Sequence, residues 1–229
     1  DGMGRDMTPL ASILIPCSPD HVELLDRAVA SAQAQTVPVE VLTFVDHDRH
    51  GPGYGRNRMA ERARGLFVCM LDADDHLYPN ALEVMLDHWR PGSYVYSDWH
   101  ERDDAGDLRH VEATSCYIDW RYNKEGQRAY HLTPVLFPTR LYHALGGMNE
   151  KMFSSEDTDF FYKANVNGVT CIRVHQPLFF YGAEGGHARS SSGKENREWF
   201  KELGSIITTY QRRAIVACCG DVAAPRNVM

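Results

Sequence analysis

Asp72, Asp74 and Asp75 fall within one turn, directly after the apolar run Leu66 to Leu71. Carboxylates this crowded repel one another, and leaving them charged and unpaired is costly. A divalent cation resolves the repulsion. Oxygen ligands suit Mg2+ or Mn2+, which bind through one or two carboxylates together with substrate phosphates. The competing reading is a helix N-terminus, where Asp is favoured, ahead of a helix over Pro79 to His88. It explains one aspartate more easily than three. Two other apolar runs also end in polar residues, at Pro16-Cys17-Ser18 and at Asp46-His47-Asp48.

The elements that must carry these residues alternate in type. Ala11 to Pro16 reads as a buried strand that stops at Pro16. Ser18 is placed to cap a helix with Pro19 at its first position, and Val22, Leu25, Val29 and Ala32 mark its apolar face. Val39 to Val45 is a second strand. Gly51-Pro52-Gly53 reads as a turn, Asn57 to Arg64 as a helix, and Leu66 to Leu71 as a third strand. Further strands are expected over Tyr94 to Asp98, Leu108 to Ala113, Leu132 to Phe137, Val169 to Val174 and Leu178 to Tyr181. Helices are expected over Thr139 to Leu145, Glu156 to Val166 and Lys194 to Arg213. This alternation predicts an α/β fold with a mostly parallel, Rossmann-like central sheet flanked by helices. Such sheets bind ligands beyond the carboxyl ends of their strands, where all three polar segments lie.

Composition narrows the field. The 229 residues suit one domain, and 24 Lys+Arg against 31 Asp+Glu leave a net charge of −7. That balance argues against a broad nucleic-acid footprint, which wants a cation for each phosphate contact. Residues 72–107 hold ten Asp/Glu and two Arg, whereas His187 to Arg213 is locally +3. No apolar run approaches a membrane span, and Asp1 to Met7 has no signal-peptide character. The six cysteines have neither C-x-x-C nor zinc spacing, which reads as reduced, mostly buried thiols in a cytoplasmic protein. Vicinal Cys218-Cys219 falls in the tail.

Val68-Cys69-Met70-Leu71-Asp72-Ala73-Asp74-Asp75 resembles the D-x-D segment of family 2 glycosyltransferases of the GT-A fold. Four other segments match in the family's order. Ser12-Ile13-Leu14-Ile15-Pro16 resembles its opening strand. Gly55-Arg56-Asn57-Arg58, followed by Ala60, Ala63 and Gly65, resembles its "ARN…A…G" helix. Leu145-Gly146-Gly147-Met148-Asn149-Glu150 resembles its "GGFDE" turn, and Ser155-Glu156-Asp157-Thr158-Asp159 its "ED" motif. A lone D-x-D is weak evidence, but five matches in order from Ser12 to Asp159 are strong.

The resemblance implies a metal-dependent, inverting transfer of a hexose from a nucleotide-diphospho sugar, UDP-linked, to an acceptor hydroxyl. It implies that Pro16, Cys17 and the Asp46 carboxylate meet the base, with Arg56 near the diphosphate or base. Asp74 is the implied metal ligand, Asp72 touches ribose or a metal-bound water, and Ala73 lies between them on the donor. Asp75 is assigned a supporting or capping place. In Gly185-Gly186-His187-Ala188-Arg189, His187 is placed to complete the Mn2+ or Mg2+ site and Arg189 to offset diphosphate charge. Asp157 is the implied base with Glu156 beside it, and adjacent helix residues do not share a face. Tyr54 could stack on the base or pack in the core. The expected organisation is a single GT-A domain over 1–229, with a donor half at about 9–107, an acceptor half at about 108–214 and a tail at 215–229. The acceptor is left open among glycan, protein, lipid and modified nucleic-acid base. The rival reading is a non-catalytic nucleotide-sugar or glycan-binding module on the same fold. Nucleotidyltransferase and phosphatase readings fit poorly, because Cys17-Ser18-Pro19-Asp20 carries no Lys or Arg and the Asp pair follows the third strand.

Overall fold

The computed structural model describes residues 8–103, 105–113, 133–152 and 156–182. Strand β1 (Ala11–Cys17) is buried along its whole length and lies between β2 (Val39–Val45) and β3 (Phe67–Met70), parallel to both. A short 3-10 turn, Pro19–His21, capped by Ser18, leads into α1 (Val22–Gln33). The buried face of α1 is Ala28 and Ala32, flanked by Leu25 and Val29. Val22, expected on that face, is exposed. Helix α2 (Pro52–Ala60) follows β2. Successive crossovers step from β1 out to β2 and then back past β1 to β3. Right-handed connections in opposite directions place α1 and α2 on opposite faces of the sheet.

The rest of the chain extends the same sheet. A short β4 (His76–Leu77) and α3 (Ala81–His88) precede β5 (Ser93–Arg102) and β6 (Leu108–Val111). Then come β7 (Val135–Pro138), α4 (Thr139–Ala144), α5 (Glu156–Val166) and β8 (Thr170–Phe180). The strand order is β2-β1-β3-β7-β5-β8-β4, with β6 paired to β5. Strands β1, β2, β3, β5 and β8 run one way, and β4, β6 and β7 run against them. The result is the mixed α/β, mostly parallel sheet that the sequence predicts. An aromatic cluster fastens α4 and α5 to it. Tyr94 lies 5.4 Å from Phe137 and 5.3 Å from Phe161, and Phe160 lies 5.0 Å from Phe137 and 4.9 Å from Tyr142. These are favourable ring–ring separations.

Several boundaries differ from expectation. Pro16 does not end β1. The Leu14 carbonyl accepts from Leu71 N–H, and the Cys17 carbonyl accepts from Asp46 N–H. Even-numbered residues of β1 therefore face β3, and Pro16 lies past the last β1–β3 pair, Leu14 with Met70. Its missing N–H disturbs no ladder. The two short strands expected after Gly168 are one, β8, with an irregularity in its pairing with β5 around Asp98. Gly65 answers the motif glycine by close approach. A Cβ there would stand 2.5 Å from the Ser12 nitrogen. Cys17 and Cys69 are free buried thiols, but Cys171 is disulfide-bonded, so the expectation of reduced cysteines fails at that position. Among the described residues, no helix is long and apolar enough to cross a membrane.

Candidate active site

The carboxyl ends of β1 and β2 and the start of α2 line a cleft of about 310 Å³ that includes Pro16, Cys17, Asp46, Arg49, Gly51 and Gly55. Asp46 shapes its floor. One carboxylate oxygen accepts the Gly51 N–H at 2.7 Å, and the other lies 3.2 Å from His50 Nδ1. Gly51 has φ +99°, a left-handed turn that a side chain would strain, and the capping aspartate holds it there. Burial works to raise the Asp46 pKa. The backbone N–H groups of His50 and Gly51, with the His50 side chain, outweigh it and hold the carboxyl below its ordinary value. A carboxylate has more acceptor sites than these contacts use, so Asp46 can still accept a hydrogen bond from a ligand. Cys17 donates to the Ser18 carbonyl at 3.2 Å, and burial, with Glu23 and Asp74 nearby, pushes its thiol up. Tyr54 stacks on His50 at 4.3 Å and lies 5.1 Å below Arg58, engaged within the protein.

The acidic turn follows β3 at the same end of the sheet. Carboxylate oxygens of Asp72, Asp74 and Asp75 lie within 4.8 Å of one another. Asp72 accepts from Arg56 and, at 2.8 Å, from the Thr133 hydroxyl. The Asp74 carbonyl accepts from Arg27 of α1 at 2.8 Å. Asp75 is fully buried. Its Oδ1 accepts the Gly182 N–H at 2.9 Å, while its Oδ2 has no hydrogen-bond partner. Burial, and then the charges of Asp72 and Asp74, push Asp75 well above the usual carboxylate range. Three converging hard oxygen donors and an orphaned buried oxygen fit a divalent cation of the Mg2+ or Mn2+ type.

Helix α5 brings the later acidic pair to this turn. Glu156 is 4% exposed and accepts from Arg56, while Asp157 is half-buried. The adjacent residues differ in burial, as their spacing on a helix leads one to expect. Burial lifts the Glu156 pKa, Arg56 opposes the lift in part, and Asp157 adds to it. Glu156 is thus held by the buried Arg56 guanidinium. Arg56, expected near the diphosphate or base, is 2% exposed, and its two terminal nitrogens donate to Glu156 and Asp72. Asp159 is half-buried, and Lys163 draws its burial-raised pKa back in part.

The structure thus gathers Pro16, Cys17 and Asp46 in one cleft and Asp72, Ala73, Asp74, Arg56, Glu156 and Asp157 beside it. His187 and Arg189 lie outside the described residues, as do Cys218, Cys219 and the helix expected from Lys194. Trp89 and Trp99 serve packing. The Trp89 indole donates to the Ser93 carbonyl, and Trp99, buried, donates to Glu101. Sequence reasoning missed Thr133, Arg27 and Gly182, which hold the acidic turn. Gly182 had a signal, a glycine just after an aromatic strand end. Arg27 sits on a helix with no motif around it and had none.

Comparison with known proteins agrees with this geometry. The family model described as glycosyl transferase family 2 matches residues 25–146, more than half of the chain. Chondroitin synthase of Escherichia coli is 27% identical over 133 residues, covering 55% of this chain and 18% of that protein. Structures of S. aureus TarS 1-349, one in complex with UDP and one with UDP-GlcNAc, superpose with a TM-score of 0.58 at 18% identity. Each covers 75% of this chain, and this chain spans 60% and 58% of theirs. At that identity the likeness is one of fold. From the family model, with the ordered motifs and the site they build, the chain belongs to glycosyl transferase family 2.

Proposed function

We propose that the protein is a metal-dependent, inverting glycosyltransferase that moves a hexose from a UDP-sugar to an acceptor hydroxyl. One observation carries this reading. A cleft floored by Asp46, a carboxylate turn suited to a cation, and the half-buried Asp157 meet at the carboxyl end of one sheet. In this reading Asp46 accepts the N3–H of uracil, and the backbone near Pro16 and Cys17 bounds the base. Asp74 and Asp72 would hold Mn2+ or Mg2+, which when bound neutralises charge on the diphosphate leaving group. Asp157 takes the acceptor's proton as its oxygen attacks the anomeric carbon opposite the diphosphate. The bond from that carbon to the diphosphate oxygen breaks, and its electron pair departs with UDP.

His187 and Arg189 extend this proposal. In the same reading His187 is a further metal ligand with Asp74, and Arg189 offsets charge on the diphosphate. The donor half runs over about 9–107, and the acceptor is met by the half from about 108 to 214. The test is UDP release from a panel of UDP-sugars, with Mn2+ and with chelator. Turnover that needs Mn2+ and disappears in Asp74→Asn is expected. Mn2+-independent turnover, or a fully active D74N, contradicts the metal assignment. Donor binding without turnover is the outcome that belongs to the non-catalytic module.

A further inference from the structure

The Arg56 guanidinium joins three stretches of chain that are far apart in sequence. It projects from α2, donates through Nη2 to Asp72 in the acidic turn, and donates through Nη1 to Glu156 in the first turn of α5. Neighbouring residues of α2 tighten the same junction. A Cβ on Gly53 would stand 3.2 Å from Glu156 Cγ, so glycine lets α5 approach. Asn57 Oδ1 accepts from the Tyr142 hydroxyl at 2.6 Å and from Met148 N–H at 2.9 Å, and Asn57 Nδ2 donates to the Met148 carbonyl at 3.0 Å. The turn that precedes α5 is therefore tied to α2 as well.

A guanidinium is a planar fork, so its two terminal nitrogens move as one body. Any displacement of Asp72 is passed to Glu156, and so to the adjacent Asp157. We propose that Arg56 is a positioning residue, which fixes the distance between the donor-holding acidic turn and the base-bearing helix and makes no contact with the nucleotide. This rests on the reading of Asp72 as a donor-side group and Asp157 as the base. Lysine would keep the charge but not the fork, because its ammonium is a single point on a flexible stem.

The experiment uses Arg56→Lys and the double variant Arg56→Met with Glu156→Gln. UDP affinity is read by calorimetry with Mn2+, and kcat from UDP release with the UDP-sugar that the wild type prefers. A misplacement near 1 Å costs about 100-fold in rate, so R56K is expected to lose about 100-fold in kcat while UDP affinity stays within about threefold. A loss carried by UDP affinity instead makes Arg56 a nucleotide contact and overturns the proposal. The double variant neutralises Glu156, the buried one of the two carboxylates that lose their cation, and it serves equally if R56K does not fold. It is expected to bind UDP and remain slow. If it recovers wild-type kcat, Arg56 only balances a buried charge and the proposal falls. Failure of the wild type to turn over any donor is a separate result, which defeats the reading of function itself.

Discussion

Asp98 is 1% exposed, and its oxygens are taken by Arg173 at 2.7 Å, Ala113 N–H at 3.0 Å and His110 at 3.2 Å. Burial works to raise its pKa, but these three partners outweigh it and hold the carboxyl below its ordinary value. A lowered folded-state pKa gives stability that is complete above the unfolded value, about 3.9, and is lost as pH falls through the folded value. Asp98→Asn is therefore expected to cost about 2–3 kcal/mol at pH 7. Urea midpoints at pH 7 and near pH 3 check this, and the gap between wild type and D98N should narrow at the lower pH. Residue identity was legible where a motif carried it. The Asp72-Asp74-Asp75 cluster follows from spacing alone, and the difference in burial between Glu156 and Asp157 follows from helix geometry. The Arg56 pairing was not legible, because Glu156 is one hundred residues away and no local pattern encodes a partner at that separation.

Strands and helices governed by local signals came out where the sequence put them. Strand β2 and helix α5 have the expected bounds, since β-branched residues mark one and Gly168 stops the other. Helix α2 starts five residues earlier than expected. Gly51-Pro52-Gly53 reads as a turn, yet Pro at the first helical position and an aspartate capping Gly51 make it a helix start. The antiparallel insertion of β7 between β3 and β5 could not be read, because strand direction is set by long-range pairing. The end of β8 matters most for function. A Cβ on Gly182 would stand 1.7 Å from the Asp74 carbonyl oxygen, so no side chain fits without moving the acidic turn. Gly182→Ala is expected to weaken Mn2+-dependent UDP binding at least about tenfold, a loss of about 1.4 kcal/mol. Calorimetry reads the affinity, and circular dichroism checks that the sheet remains.

Across the whole molecule, the acidity concentrated in residues 72–107 includes the carboxylates that a cation and a diphosphate would share. Ligands that bind only the folded state stabilise it by mass action. UDP and Mn2+ together at about 100-fold over Kd add about 2.7 kcal/mol. For a chain of this size that corresponds to a rise of roughly 5–10 °C in Tm. Chelator should remove the rise, and Mn2+ alone should give less of it. Helix α2 packs on β1 and β2 and reaches α5 through Arg56, so donor binding and acceptor chemistry are expected to depend on one folded unit. The most direct test of that account compares UDP release by wild type and by Asp157→Asn, each first shown to bind UDP with Mn2+. The account predicts equal UDP affinity and a kcat in D157N lower by at least about 100-fold, as expected for loss of a positioned general base. Equal turnover by the two proteins would contradict it.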